Sequence, residues 1–259
     1  MSKPSVHGPT DNSLQGRVAL VTGAGSGLGR QFALALARSG ATVVVAARRR
    51  ERLEEVVAAV AELGGTAHAV TLDVRDVEAI GRALDEATGL VGLPDVLVNN
   101  AGVPDARRAH RMPLELVDQV LETNLRGPWL LATGLAARWI EAGVPGRVVN
   151  IGSMTGIHYG GEGAALYSVT KAAVHRMTEV LAVEWAGHGI NVNAIAPGAF
   201  SSEMMDGMLE RMGDIASAFP RKRLGRPEQL DSTLLYLVSP LSDAVTGAVI
   251  SVDDGQTHR

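Results

Sequence analysis

The stretch Thr22-Gly23-Ala24-Gly25-Ser26-Gly27-Leu28-Gly29 decides the fold, because the apolar run 18–21 leads straight into it and a helix-period stretch, 30–39, leads out of it. A strand, a glycine turn and a helix in that order form an anion-binding corner. Glycine allows the tight turn and the close approach of a diphosphate to the backbone, and the helix N-terminus offers unsatisfied N–H groups and a favourable dipole. The spacing is Gly-x-x-x-Gly-x-Gly instead of the commoner Gly-x-Gly-x-x-Gly.

Outward from this corner the chain alternates short runs rich in valine and isoleucine with longer helix-period stretches, the pattern of parallel strands joined by helices. The runs are 18–21, 42–46, 67–72, 96–98, 147–151, 190–195 and 248–252. They are apolar on successive positions, as strands covered on both faces must be. The expected fold is α/β: one doubly wound domain over residues 15–259, with a seven-stranded parallel sheet and helices on both faces, and no second domain. Residues 1–14 are polar and contain two prolines, and they read as a disordered tail. Between Gly198 and Pro227 the pattern breaks around Met204, Met205, Met208 and Met212. Methionine is flexible and polarizable, so 199–222 reads as a mobile cover over a site, with core packing as the alternative.

The 259 residues contain no cysteine, which excludes disulfides, iron–sulfur clusters and thiolate zinc sites. Redox chemistry would need a dissociable cofactor, and no metal is expected. A net charge of -4 argues against a nucleic-acid surface. No segment offers about eighteen uninterrupted apolar residues, so no membrane span is expected, and the tail lacks the apolar stretch of a secretory signal. The expected location is the cytoplasm.

Tyr167 and Lys171 form a Tyr-x-x-x-Lys unit within a helical pattern, and Ser153 lies fourteen residues before the tyrosine at the end of a strand-like run. Residues four apart share a helix face, so the lysine ammonium is expected beside the phenol, favouring its anion. A phenol with a pKa near about 10 relays protons poorly at neutral pH, whereas one with a depressed pKa can give and take them. Hydride arriving at a carbonyl carbon builds charge on oxygen, and two positioned hydroxyls can stabilise it while one delivers the proton.

Together the glycine spacing, Asn99-Asn100-Ala101-Gly102, Asn124, Ser153, the Tyr167 unit, Pro197-Gly198 and Val252-Asp253-Asp254-Gly255 resemble the short-chain dehydrogenase/reductase family, in its short single-domain, Rossmann-like branch. The resemblance covers residues 15–255. It implies an NAD(P)-dependent alcohol dehydrogenase or ketone reductase with a catalytic tetrad of Asn124, Ser153, Tyr167 and Lys171. In it Tyr167 would be the acid or base, Lys171 would lower its pKa and hold the nicotinamide ribose, Ser153 would bind the substrate oxygen, and Asn124 would hold a water linking Lys171 to solvent. It further implies cofactor contacts from Gly23, Ser26, Gly27, Leu28 and Gly29, from Asp73 and Val74 at the adenine, and from Asn100, Ala101 and Gly102 at its ribose. Pro197, Gly198, Phe200 and Ser202 would flank the nicotinamide. A homotetramer or homodimer, packed through the long helices around Asn124 and Tyr167, is also implied.

Ala47 stands where an acidic residue would hold the ribose hydroxyls of NAD, and Arg48 and Arg49 follow it. Arginine pairs with phosphate through two hydrogen bonds, so NADP(H) is preferred, with NAD(H) the alternative because Ser26 fills a position where many NADP-preferring relatives carry Arg or Lys. Asp254 departs from the family's usual glycine. The small-molecule carbonyl or alcohol would meet Val103, Met154, Ile157, His158, Tyr159, Glu162 and the methionine segment. A 3-oxoacyl carrier-protein reductase is one alternative, weakened by Val183 where such relatives carry an arginine; a non-catalytic dinucleotide sensor or scaffold is another.

Overall fold

Val18–Thr22 (β1), Thr42–Ala47 (β2), Thr66–Thr71 (β3), Val96–Asn99 (β4), Gly146–Ile151 (β5), Ile190–Pro197 (β6) and Val249–Val252 (β7) are the strands of the computed structural model, which describes residues 13–105, 107–159 and 163–257. They form one sheet in the order β3-β2-β1-β4-β5-β6-β7, and all six neighbouring pairs are parallel. Strand order reverses between β1 and β4, and that crevice at the carboxyl ends is where open parallel sheets place ligands.

Successive side chains leave a strand on opposite faces, which explains why the strands are apolar throughout. Val21, Val43, Val45 and Val98 meet Phe32 and Leu36 of α1 (Gly27–Arg38), Leu53 and Val56 of α2 (Arg50–Glu62), and Leu234 and Leu237 of a later helix. Leu20, Val44, Leu97, Val148 and Val192 meet Leu84 of α3 (Val77–Val91) on the other side. With it pack Leu131 and Leu135 of α5 (Gly127–Ala142) and Val174 and Leu181 of α6 (Ala165–Trp185). Ahead of α5 in the chain comes α4 (Leu114–Leu121), joined to it through a π-helical turn, Glu122–Arg126. The last two α-helices, before β7, are α7 (Glu203–Met212) and α8 (Asp231–Val238), which carries Leu234 and Leu237.

One expectation changes. Residues 1–12 lie outside the described residues, but Leu14, assigned to the tail, is 1% exposed and its N–H bonds the Ser39 carbonyl at 2.8 Å. A lone leucine after a polar stretch gives no periodic signal, yet it seals the end of α1. Residues 199–222 contain α7 and a short 3-10 turn, Ala216–Ala218. The base of this excursion is pinned by Gly225 N–H to Ala199 O and Ser201 N–H to Gly225 O, both 2.9 Å. Met204 is exposed and Met205 and Met208 are half-buried, so they are not core residues; the Met212 side chain lies outside the description.

Asp254 takes φ +55°, the left-handed region that glycine enters more freely. Its carboxylate holds Arg223 at 2.8 Å and Arg221 at 3.4 Å, contacts that glycine could not make. The C-terminal turn is thereby tied to the end of the 199–225 excursion.

Candidate active site

The glycine corner is built by contacts from β4. Thr22 Oγ1 accepts the N–H groups of Asn100 and Ala101 at 3.0 and 3.1 Å, and the Asn100 amide donates to the Thr22 carbonyl at 2.9 Å. A Cβ on Gly23, which has φ +64°, would stand 2.9 Å from the Ala101 Cα, and one on Gly29 would strike the Gly23 carbonyl. Ser26 is the N-cap of α1 but makes no side-chain cap, so the first-turn N–H groups of Gly27, Leu28 and Gly29 keep their capacity for an anion. A Cβ on Gly27 would lie 3.2 Å from Ser202 Cβ, so the start of α7 comes down onto this corner.

At the end of β5, Ser153 is 8% exposed and its Oγ accepts from Thr155 N–H at 3.2 Å and Thr155 Oγ1 at 3.0 Å. A hydroxyl has two lone pairs, so these contacts leave the Ser153 proton to donate onward. The Tyr167 phenol lies close to it, and a proton offered by Ser153 favours the phenolate. Tyr167 keeps part of its surface open, but burial of the hydroxyl dominates and raises the pKa; the Asp105 charge raises it further.

Lys171 is 5% exposed, and its Nζ donates to the Ile151 carbonyl at 2.7 Å while lying 5.5 Å from the Tyr167 ring centroid. The expected placement beside the tyrosine is therefore present, with the ammonium over the ring face; the phenol pKa is raised by burial, and Ser153 offsets part of that rise. Burial lowers Lys171 itself to about 8. Asn124 sits in the π-helical turn, with its amide accepting Val103 N–H at 2.8 Å and donating to Val103 O at 2.9 Å. A Cβ on Gly102 would lie 3.5 Å from Asn124 Oδ1 and 3.7 Å from Lys171 Nζ, so the small glycine leaves space between these two groups.

The remaining expected residues divide. Asp73 is held by Arg75 at 2.8 Å, and that hydrogen bond keeps its carboxyl below the usual range. Val74 is buried against Gly127. Pro197 ends β6, Gly198 N–H bonds Val252 O at 3.0 Å, and the Phe200 ring is taken up by packing on Gly225. Ser202 caps α7 by accepting Met205 N–H at 3.2 Å. Ile157 and His158 are exposed, and the Tyr159 hydroxyl accepts the Gly163 and Ala164 N–H groups at the start of α6. Met154 is half-buried, and Glu162 lies outside the described residues.

Of the arginines, Arg50 pairs with Glu54 and Arg52 with Glu55. Arg49 pairs with Glu203, while Arg48 is exposed and its charge reaches Asp73. Sequence reasoning missed Asp105, His175 and Glu203. Asp105 is 2% exposed and accepts the Tyr167 N–H at 3.0 Å, and its Oδ1 has no partner among the described residues. His175, one turn beyond Lys171, fills the space against Gly152 and Gly156, and burial holds its pKa down.

A doubly wound sheet with a glycine corner at its switch point and convergent serine, tyrosine and lysine side chains defines a dinucleotide-binding enzyme class. The family model described as short chain dehydrogenase matches residues 17–212, and the chain belongs to that family of oxidoreductases. It is 37% identical to 3-oxoacyl-[acyl-carrier-protein] reductase of Thermotoga maritima, over 93% of this chain and 98% of that protein. It is 34% identical to 2-dehydro-3-deoxy-D-gluconate 5-dehydrogenase of Dickeya dadantii, over 95% and 98%. The structure of a single-site variant of actinorhodin polyketide ketoreductase with NADPH superposes with TM-score 0.90 at 34% identity, covering 94% of this chain and 98% of that one. Among the described residues no helix is long and apolar enough to cross a membrane.

Proposed function

We propose that this chain transfers hydride between a nicotinamide dinucleotide and a ketone or secondary alcohol, with Tyr167 as the acid in reduction and the base in oxidation. The observation that carries the reading is the Ser153 hydroxyl, which accepts from Thr155 and stands beside the Tyr167 phenol, with the buried Lys171 over the tyrosine ring, at the carboxyl edge of the sheet. The nicotinamide, when bound, gives or accepts the hydride. The Ser153 and Tyr167 hydroxyls hold the substrate oxygen as charge develops on it. Tyr167 passes the proton, and Lys171 and Asn124, flanking Gly102, return it towards solvent.

The residues present fit such a cofactor. Uncapped N–H groups at Gly27, Leu28 and Gly29 suit a diphosphate, and the close packing at Gly23 leaves room only for hydrogen. Asn100, Ala101, Gly102 and Lys171 would hold ribose, with Asp73 and Val74 at the adenine and Pro197, Gly198, Phe200 and Ser202 along the nicotinamide. Ala47 offers no carboxylate against a 2′-phosphate, and Arg48 and Arg49 follow it, so NADP(H) is preferred. The 199–222 segment would cover the substrate.

Exposed Trp129 of α5 lines a groove with Leu121 of α4, Leu125 of the π-helical turn and Ala173 and Met177 of α6, and Val169 and Val180 of α6 are exposed as well. This apolar surface supports a homodimer or homotetramer formed through these helices. A second reading, reduction of a 3-oxoacyl group on a carrier protein, draws on the Thermotoga maritima relative; Val183, 81% exposed, offers a carrier no charge.

Titrating the cofactor-free protein with NADPH and with NADH at one ionic strength, before and after Arg48→Ala, tests the reading. Tighter NADPH binding that Arg48→Ala selectively weakens is expected. Binding of neither dinucleotide would refute it.

A further inference from the structure

The anion seat beside the glycine corner is already filled by one of the chain's own side chains. Arg49, at the N-cap of α2, points a guanidinium nitrogen at the Glu203 carboxylate, 3.1 Å away across 154 residues of chain. Glu203 opens α7, directly after Ser202, whose Cβ would lie 3.2 Å from a Cβ on Gly27. Arg49 first, then the Ser26 hydroxyl and the Arg52 charge, hold the Glu203 carboxyl below its usual range. Arg52 packs on the corner too, its Cβ 3.2 Å from where a Gly25 Cβ would be. The carboxylate is thus held directly by Arg49, two residues beyond Ala47 at the end of β2, with the Ser26 hydroxyl and the Glu55-paired Arg52 close enough to favour its charge.

An acidic residue in a first helical turn and an exposed ion pair are each ordinary. Their position is what carries weight. Guanidinium groups and a hydroxyl beside an uncharged strand end are the chemistry that receives a phosphate monoester. Resting on the dinucleotide reading above, we propose that Glu203 stands in for the 2′-phosphate of NADP(H), latching α7 over the glycine corner until that phosphate displaces it from Arg49.

Phosphate and carboxylate then exclude each other at Arg49, and linkage makes the effect reciprocal. A 2′-phosphorylated dinucleotide releases α7, and with it the start of the segment covering the site. An unphosphorylated one leaves the latch closed. Glu203 also lowers the preference for NADP(H) below what Arg48 and Arg49 alone would give. Both side chains of the pair are 55% exposed, so exchange with an incoming anion needs no rearrangement of the core.

The test is a fluorescence titration of the full chain with NADPH and with NADH, for wild type, Glu203→Gln, Arg49→Ala and the double variant. Glu203→Gln should tighten NADPH about three- to fivefold, the equivalent of up to ~1 kcal/mol for an exposed ion pair, and leave NADH within about twofold. In the Arg49→Ala background the same substitution should have no further effect. Backbone hydrogen exchange gives a readout independent of the nicotinamide: adenosine 2′,5′-bisphosphate should speed exchange in the first turns of α7 relative to adenosine 5′-monophosphate. An unchanged NADPH to NADH ratio in Glu203→Gln, an equal effect without Arg49, or no change in α7 exchange would overturn the latch while leaving the dinucleotide reading intact. Failure of wild type to bind either dinucleotide would overturn both.

Discussion

Asp105 accepts the backbone N–H of Tyr167 at 3.0 Å, joining the loop after β4 to the start of α6 across 62 positions. The carboxylate is buried and anchors the helix turn that presents the proton donor, while its charge opposes the tyrosinate. Asp105→Asn keeps an acceptor and removes the charge. The Tyr167 pKa should fall, so the rising limb of alcohol oxidation, which follows deprotonation, should move to lower pH. Asp105→Ala should also lose about 1 kcal/mol of stability with the missing hydrogen bond. Rate profiles against pH and denaturant titrations of both variants check this, and an unmoved profile in Asp105→Asn would remove its electrostatic role.

Gly156 sets the distance between the Ser153 turn and α6. A Cβ there would lie 2.8 Å from both the Ala172 nitrogen and the Lys171 carbonyl carbon, which are helix backbone and cannot swing away. Gly156→Ala should cost about 1–3 kcal/mol by overpacking. It should also displace Ser153 from Tyr167, and misplacement of that kind can cost about a hundredfold in rate. Dinucleotide affinity should fall far less than turnover, because the glycine corner lies elsewhere and only the Lys171 contact is near the clash; equal turnover in the variant would show that the turn has slack.

Lys171 makes stability depend on pH. Its pKa drops from the usual 10.5 to about 8, burial being the cause. Below about 8 the folded and unfolded states both carry the proton, and the cost of burying the charge is present in full. Between about 8 and 10.5 the unfolded state binds more protons than the folded state, so stability attributable to this group rises with pH. Lys171→Met should therefore be at least as stable as wild type at pH 7, with the difference shifting in favour of wild type as pH approaches 10. Melting temperatures at several pH values measure it, and a difference that grows in favour of the variant at high pH would contradict the assignment.

The sheet was legible because strands buried on both faces must be apolar at consecutive positions; the run 18–21 became Val18–Thr22, and 190–195 became Ile190–Pro197. Ends were less legible, since Thr22 reads as part of the glycine turn yet pairs with Ala46 as strand. Ser153, Tyr167 and Lys171 were visible because two lie one helical turn apart and the third ends a strand. Asp105, Glu203 and His175 were not, because each acts across a contact made only by the folded chain. Gly152 and Gly156 carried the one sequence trace of His175, as small residues around Ser153, but spacing alone does not show what fills the room they leave. The π-helical turn at Asn124 was equally silent: Glu122–Arg126 keeps a helical composition while its hydrogen bonding changes.

The most direct test of Tyr167 as the acid and base follows nicotinamide absorbance with NADPH and with NADH over a panel of ketones and secondary alcohols, comparing wild type with Tyr167→Phe. Wild type should turn over at least one pair, and Tyr167→Phe should lose that turnover by about a hundredfold or more while dinucleotide binding stays within about twofold. A Tyr167→Phe protein that turns over the same substrate at the wild-type rate would contradict the proposed role.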